Sequence, residues 1–361
     1  MQSGKASCSG KRLGLLLAVC LLMACVSIVP QSASATPIGS TGYHLTDQVV
    51  IPGDGNAKDL SWDYFIFNPD TRTLYLNHRG RGVMVMNIDT KKVLGVAERT
   101  DGACGTAVVN DLNKGYTATG KRGEGNIVAV FDLTTLKWLK DIEVSPDADA
   151  ILYDPLSKMV YVNTEAGMVV IDPQTDSVVK TIDLGSHKVE YPALDGKGHI
   201  FVNLQDKNQV VEVDTKSYEV IQRWSTGRAE VPTSLCYDAD KNRLIIGGRG
   251  GVAAIMDAAN GKILAELPIG FRVDTSLYDP VTKLIFLVNE NKFINVIKEV
   301  SPNNYELVDT IWTLPYANRA MLDPKTHNLY IGSADFSGPP AKKGGPPTII
   351  PDSFIFATIS R

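Results

Sequence analysis

The sequence predicts an all-β protein, a seven-bladed β-propeller of four-stranded blades whose last blade is closed by an N-terminal strand. Three observations carry that reading. A turn built on Asn or Asp recurs at Asn68, Asp111, Asp154, Asp195, Asp238, Asp279 and Asp323, with steps of 43, 43, 41, 43, 41 and 44 residues, the length of one propeller blade. A second acidic marker follows in phase at Asp89, Asp132, Asp172, Asp214 and Asp257, and the sixth unit has Val296-Ile297-Lys298 in its place. The last unit stops one strand short, while residues 43–51 (YHLTDQVVI), which resemble outer strands such as WLKDIEV and VVKTIDL, precede the first unit. Pairing that strand with the last blade removes two open edges.

Residues 151–185 show how one unit is written. Short apolar runs at 151–153, 159–163, 168–172 and 178–184 are separated by turns at Asp154-Pro155, Glu165-Ala166-Gly167 and 173–176. The runs are too short for helices and rich in Val, Ile and Tyr, which suit a pleated surface. One such sheet cannot bury both faces alone, so the units must stack. The marker acids are expected to hold turns, because an Asx side chain accepts hydrogen bonds from amides two residues on. Residues 335–352 (DFSGPPAKKGGPPTIIPD) interrupt the last unit between its second and third strands, and their Pro and Gly content predicts a long loop.

At the N-terminus, Lys11-Arg12, the apolar run from Leu13 to Val29 and Ala33-Ser34-Ala35 have the three regions of a secretory signal. Residues 1–35 are therefore expected to be a leader and residues 36–361 a single exported propeller domain, periplasmic or secreted, without a transmembrane span and monomeric. A second reading takes Leu22-Met23-Ala24-Cys25 as a lipobox with Cys25 as the lipid anchor. Three of the five cysteines fall in the leader; Cys104 and Cys236 lie in different units, so no disulfide framework is expected. Removing the leader's three bases leaves 33 basic and 40 acidic residues, a net charge of −7, which disfavours nucleic acid as a partner.

The repeats carry a recognisable phrase. Val-Tyr-Val-Asn-Thr at 160–164 followed by Val-Val-Ile-Asp-Pro at 169–173, with Phe-Val-Asn at 201–203 and Leu-Val-Asn at 287–289, resembles the YVTN repeat of the YncE-like family of exported bacterial and archaeal propellers, over essentially the whole mature chain. The resemblance implies a periplasmic or surface binding protein. One member type binds DNA, and distant seven-bladed relatives include lactonases and the haem d1 domain of nitrite reductase, but no motif transfers any of those activities residue by residue.

Chemistry is expected where the first strand of each blade meets the axis. Counting five residues before each turn marker gives Asp63, Thr106, Asp149, Glu190, Thr233, Asp274 and Asn318, all polar. Four carboxylates round one axis repel unless a cation or water shares the space, and Asp63, Asp149, Glu190 and Asp274 with oxygen-bearing neighbours suit a hard divalent cation, Ca²⁺ or Mg²⁺. The loops between second and third strands carry His78, Arg79, Arg81, Lys121, Arg122, Lys207, Arg249, Lys292, Lys342 and Lys343, a basic rim able to meet an anion or simply be solvated. His44, His78, His187, His199 and His327 show no zinc spacing, and no C-x-x-C-H or G-x-S-x-G motif occurs. Arg79-Gly80-Arg81-Gly82 and residues 247–251 (GGRGG) open no helix, so they read as turns and not phosphate loops. Trp62, Trp138, Trp224 and Trp312 are expected to pack, Trp62, next to Asp63, being the one with a ligand-facing alternative. Three functions fit: a binding propeller taking a small molecule, glycan or protein; a metal-dependent hydrolase or lactonase-like enzyme using the channel acids; and a DNA-binding propeller.

Overall fold

The computed structural model describes residues 40–52, 61–119, 126–290, 292–338 and 348–361, all within the unit Ile38–Arg361. The expected leader at residues 1–35, its lipobox cysteine, and Lys121, Arg122, Lys342 and Lys343 lie outside the described residues.

Seven four-stranded antiparallel sheets form. Blades 1 to 6 each use four consecutive strands; blade 3, for example, is Ile151–Asp154, Met159–Thr164, Gly167–Asp172 and Ser177–Ile182. Blade 7 is Ala320–Leu322, Leu329–Ser333, Phe354–Ser360 and, as its outermost strand, His44–Ile51 from the N-terminal end. That closure runs in register from Val49 opposite Phe356 to Ile51 opposite Phe354. The first strand of every blade contacts the first strand of the next, and blade 7 contacts blade 1, so the inner strands form a closed ring.

Burial follows the ring. The second and third strands of blade 3 are almost wholly buried, whereas its fourth strand is exposed until Ile182. The cores lie between neighbouring sheets: Val128 and Val130 of blade 2 pack with Val160 and Val162 of blade 3, and Phe286 and Val288 of blade 6 with Ile331 and Ala357 of blade 7. Each blade depends on two neighbours for its apolar faces.

The marker acids do hold turns. Asp154 accepts from the Leu156 and Ser157 amides, both at 3.0 Å, and Asn68, Asp195, Asp238, Asp279 and Asp323 each accept from the amide two residues on. Asp111 differs, because it lies inside the 3₁₀ turn Asn110–Leu112. Asp89 also differs, pairing with Arg72 at 2.7 Å. The sixth unit, which lacks the second marker, replaces it with a tight hairpin: Ser301 pairs with Asn304, and Asn303 adopts the left-handed φ of 60° that Asn tolerates.

Two of the motif asparagines tie one blade to the next, while Asn289 bonds within its own blade. Asn163 donates to the Glu190 carbonyl at 2.7 Å and Asn203 to the Ser234 carbonyl at 3.0 Å, each reaching from a buried second strand to the first strand of the following blade. The insertion is more ordered than a plain loop at its stem, where Phe336–Ser337 pairs with Thr348–Ile349. Trp62 packs as expected, stacked on Phe354 at 3.9 Å with His78 edge-on at 4.4 Å, whereas Trp312, expected to pack, is 72% exposed. Neither Cys104 nor Cys236 is in a disulfide. Among the described residues no helix is long and apolar enough to cross a membrane.

A chain beginning after Ile51 would leave Phe354–Ser360 with an open edge and lose the buried Tyr43 and Ile51. Losing those two side chains alone costs about 3–6 kcal/mol. Urea unfolding followed by tryptophan fluorescence should therefore show a transition at lower denaturant, or none; a truncated chain with the full-length midpoint contradicts the closure.

Candidate functional site

The inner strands carry irregularities at the residues the spacing singled out. Two residues face one across the blade 1 pair, where Asp63 and Tyr64 lie between the Trp62 and Phe65 pairings. The same occurs at Glu190 and Tyr191 in blade 4, at Thr233 in blade 5 and at Asp274 in blade 6. A bulge re-aims side chains that regular alternation would send elsewhere. In blade 2 there is no bulge: Thr106 pairs regularly with Thr117, and its hydroxyl donates to Asn77 at 2.6 Å. Thr106 lines a separate cavity of about 410 Å³ with Ile66, Asn68 and Tyr191. It does not join the acids.

Arg319, the residue after Asn318, organises the centre. Its guanidinium donates to Asp63 at 3.0 Å and also to Asp274, joining blades 7, 1 and 6. Its planar group lies 5.0 Å over the Tyr64 ring, and Tyr64 in turn packs 5.0 Å from Tyr191. Burial raises the phenols of both tyrosines, Tyr64 well above its ordinary value and Tyr191 to about 12. Asn318 donates to Asp274 at 2.9 Å and to Glu290 at 3.3 Å. Asp274, Arg319, Tyr64 and Tyr191 line a cavity of about 90 Å³.

A second cavity, of about 240 Å³, opens beside this hub and is lined by Arg79, Cys104, Asp149, Asn163, Glu190 and Arg249 among others. Asp149 sits just before the Ile151–Asp154 strand. Burial first, then the nearby Asp63 charge, pushes its carboxyl up to about 7, against the pull of Arg79 and Arg319. Burial, and then Asp149 and Asp274, push Glu190 up to about 8. Gln205 donates to Glu190 at 2.6 Å and to Thr233 at 3.3 Å, and the Thr233 hydroxyl donates to the Val231 carbonyl at 3.1 Å. The mouth thus offers two carboxyl groups that exchange protons near neutrality, beside fixed guanidinium charge.

The rim residues divide. Arg79 turns inward to pair with Asp63, and His78 is buried against Trp62 with its Nδ1 accepting from the Gly80 amide at 3.1 Å; neither is a solvated rim residue. Arg81 is partly exposed and Lys292 exposed. Arg249 pairs with Glu290 at 3.6 Å and Lys207 with Asp206 at 3.4 Å. Both glycine-rich stretches join strands as turns. Ligand atoms of Asp63, Asp149 and Cys104 lie within 4.8 Å of one another; this group contains sulfur, unlike the all-oxygen set expected from Asp63, Asp149, Glu190 and Asp274.

Sequence spacing missed Arg319, Cys104, Gln205 and Glu290. Arg319 had a signal: an arginine opening an otherwise apolar inner strand, NRAML, calls for a buried acid.

Replacing Arg319 by Met would strand the buried Asp274 carboxylate and leave Asp63 with Arg79 alone. Arg319→Met should cost about 3–5 kcal/mol in urea unfolding, and adding Asp274→Asn should restore most of the loss; a single variant as stable as the parent contradicts the bridge. The raised groups set a pH slope. Because folding keeps Asp149 and Glu190 protonated above the ordinary carboxylate range, the folded state binds the extra protons, and stability falls as pH rises from about 4 to about 8. The Asp149→Asn, Glu190→Gln double variant should lose that part of the slope when both proteins are melted across the window. An unchanged slope contradicts the two shifts.

No protein-family model matches the chain, and no curated protein matches it in sequence. Among solved structures it is similar to the WD40 repeats of RRP9, with 11% identity, a TM-score of 0.71, and 87% of this chain and 98% of that one covered. It is similar to U3-55K at 11% identity and a TM-score of 0.70, over 88% and 99% of the two chains. A hydrazine synthase chain of Kuenenia stuttgartiensis aligns at 19% identity and a TM-score of 0.63, over 76% and 93%. At these identities the likeness shows the fold: this chain is a seven-bladed β-propeller with WD40-repeat structural neighbours.

Proposed function

We propose that this chain is an exported, YVTN-type binding propeller that holds a small polar ligand in the loop-side mouth of its central shaft. One observation carries the reading: a cavity of about 240 Å³, lined by side chains of both charges, into which Asp149 and Glu190 face. Pockets with a few convergent polar groups and perturbed acids are where ligands bind. The propeller fold itself serves interaction in many settings and fixes no chemistry. The leader-like residues 1–35 and the VYVNT phrase support the exported YVTN-type assignment.

A metal-dependent hydrolase is the second reading, favoured by the Asp63, Asp149 and Cys104 group. Its weakness is electrostatic, since Arg319 and Arg79 already donate to the two oxygens of Asp63 and a divalent ion there would meet two guanidinium charges. Nucleic-acid binding has the net charge against it.

Hydrogen exchange of residues 36–361 against a fragment set of amines, carboxylates, sugars and lactones tests the proposal. The expected result is binding without turnover, with protection in segments 145–165 and 187–205; protection confined to the turns at the opposite ends of the blades, or lactone turnover lost in Asp149→Asn, overturns it. Melting with Ca²⁺, Mg²⁺ or Zn²⁺ reads out the metal alternative, where saturation at a hundred times the dissociation constant adds about 2.7 kcal/mol. Mass spectrometry of the exported chain should find Thr36 at its start; a lipid on Cys25 replaces soluble export by anchoring.

A further inference from the structure

We propose that the end of the shaft opposite the mouth binds a small uncharged ring compound carrying one hydrogen-bonding oxygen. The inference goes beyond the mouth reading and stands on a different cavity, with no lining residue in common.

The first strands run from the mouth, where Asp63, Asp149 and Glu190 stand, to the turns at Asn68, Asp154 and Asp195. The far ends of these strands in blades 1 to 4 line the cavity of about 410 Å³, a volume in the range of small-molecule sites. Ile66, Phe67, Val108, Tyr153, Tyr191 and Leu194 all border it. Each keeps partial exposure, although the second strands beside them are almost wholly buried. Apolar surface left facing water is unfavourable, and a ligand of matching shape removes it.

The polar groups of the wall select the kind of ligand. The Asn68 amide donates to Asn110 at 2.8 Å, Asn110 donates to Asp70 at 2.9 Å and Thr106 donates to Asn77 at 2.6 Å, so these groups are already committed. Asp70 is the single charged residue lining the cavity. An anion would meet that carboxylate and no cation. A cation would leave water for an apolar wall, because Asp70 is itself exposed and already accepts from Asn110. Two hydroxyls are left: those of Tyr153 and Tyr191 have no hydrogen-bond partner among the described residues, and neither is among the side-chain atoms closed to water. Tyr153 stands at the turn end, beside Asp154, and Tyr191 at the inner end, against Tyr64. Burial alone holds the Tyr191 phenol up at about 12, so it remains an O–H donor at neutral pH. The aromatic faces of Phe67 and Tyr153, with Pro69 and Pro192 between blades, suit a ring.

Ligand-observed NMR on purified residues 36–361 compares 2-naphthol, naphthalene, 2-naphthoate and 2-naphthylmethylammonium. 2-Naphthol should bind. Naphthalene, which keeps the rings and lacks the oxygen, should bind about threefold to tenfold more weakly, and the two charged analogues more than about tenfold more weakly. Tyr191→Phe should lower 2-naphthol to the affinity of naphthalene and leave naphthalene unchanged, a split that general loss of structure does not produce. Leu194→Trp, which fills the cavity, should abolish binding of both. Hydrogen exchange of the parent chain places the site even where a variant fails to fold: 2-naphthol should protect 66–70 and 106–110, which do not line the mouth. No binding of 2-naphthol up to its solubility overturns the inference, as does equal or tighter binding of either charged analogue, parent affinity for 2-naphthol in Tyr191→Phe, or protection confined to the mouth residues 147–149, 163–165 and 187–190. The mouth reading survives failure here, because polar fragments and other residues test it.

Discussion

The guanidinium of Arg319 between Asp63 and Asp274 is the contact on which the centre of the molecule depends. A propeller brings the first strand of every blade to one axis, and here those strands deliver acids from blades 1, 3, 4 and 6. Like charges so placed oppose ring closure unless something in the shaft answers them. Arg319 answers two from a single position in blade 7, with Tyr64 beneath its planar face, and Arg79 adds a second cation to Asp63. The remainder, Asp149 and Glu190, is displaced to one side of the hub, where the shaft widens. The fold's need for compensated charge thereby separates a structural core of the shaft from a mouth where Asp149 and Glu190 form no ion pair among the described residues.

Backbone geometry makes this separation possible. Bulges in blades 1, 4, 5 and 6 set an extra residue opposite a single partner, so polar and aromatic side chains turn to the axis while the following residues resume the alternation that feeds the cores between blades. The bulged backbone needs support, and the asparagines ending the second strands provide it: Asn163 and Asn203 bond carbonyls of the next blade's first strand, and Asn77 bonds the Tyr64 carbonyl within blade 1. At Asn163 and Asn203 the Val-Asn phrase thus fastens an irregular inner strand, whereas Asn289 bonds within its own blade; either role is structural and says little about ligand.

Much of the architecture was legible because it is written in periodicity. Turn acids at fixed spacing and alternating short strands predicted seven blades, and the orphan strand at 43–51 predicted the closure. The site was less legible because it depends on side chains whose direction a bulge decides. Spacing brought forward Asp149 and Glu190, which line one cavity, yet it grouped with them Thr106, which pairs in a strand without a bulge and lines another. Arg79 read as a loop charge because its acid, Asp63, is near in space across a hairpin rather than at a helical or strand spacing. His78 read as an available rim group because nothing in the local sequence announces that it packs edge-on against Trp62, which itself stacks on Phe354 nearly three hundred residues away.

The claim at the centre of this account is that the shaft holds two carboxyl groups without a cationic partner. Carbon-13 NMR titration of side-chain carboxyl groups, with Asp149→Asn and Glu190→Gln used for assignment, observes them directly. The account predicts that these two resonances titrate near 7 and 8 in the ligand-free protein; titration of both in the ordinary carboxylate range would show that the mouth already supplies their compensation, and would contradict it.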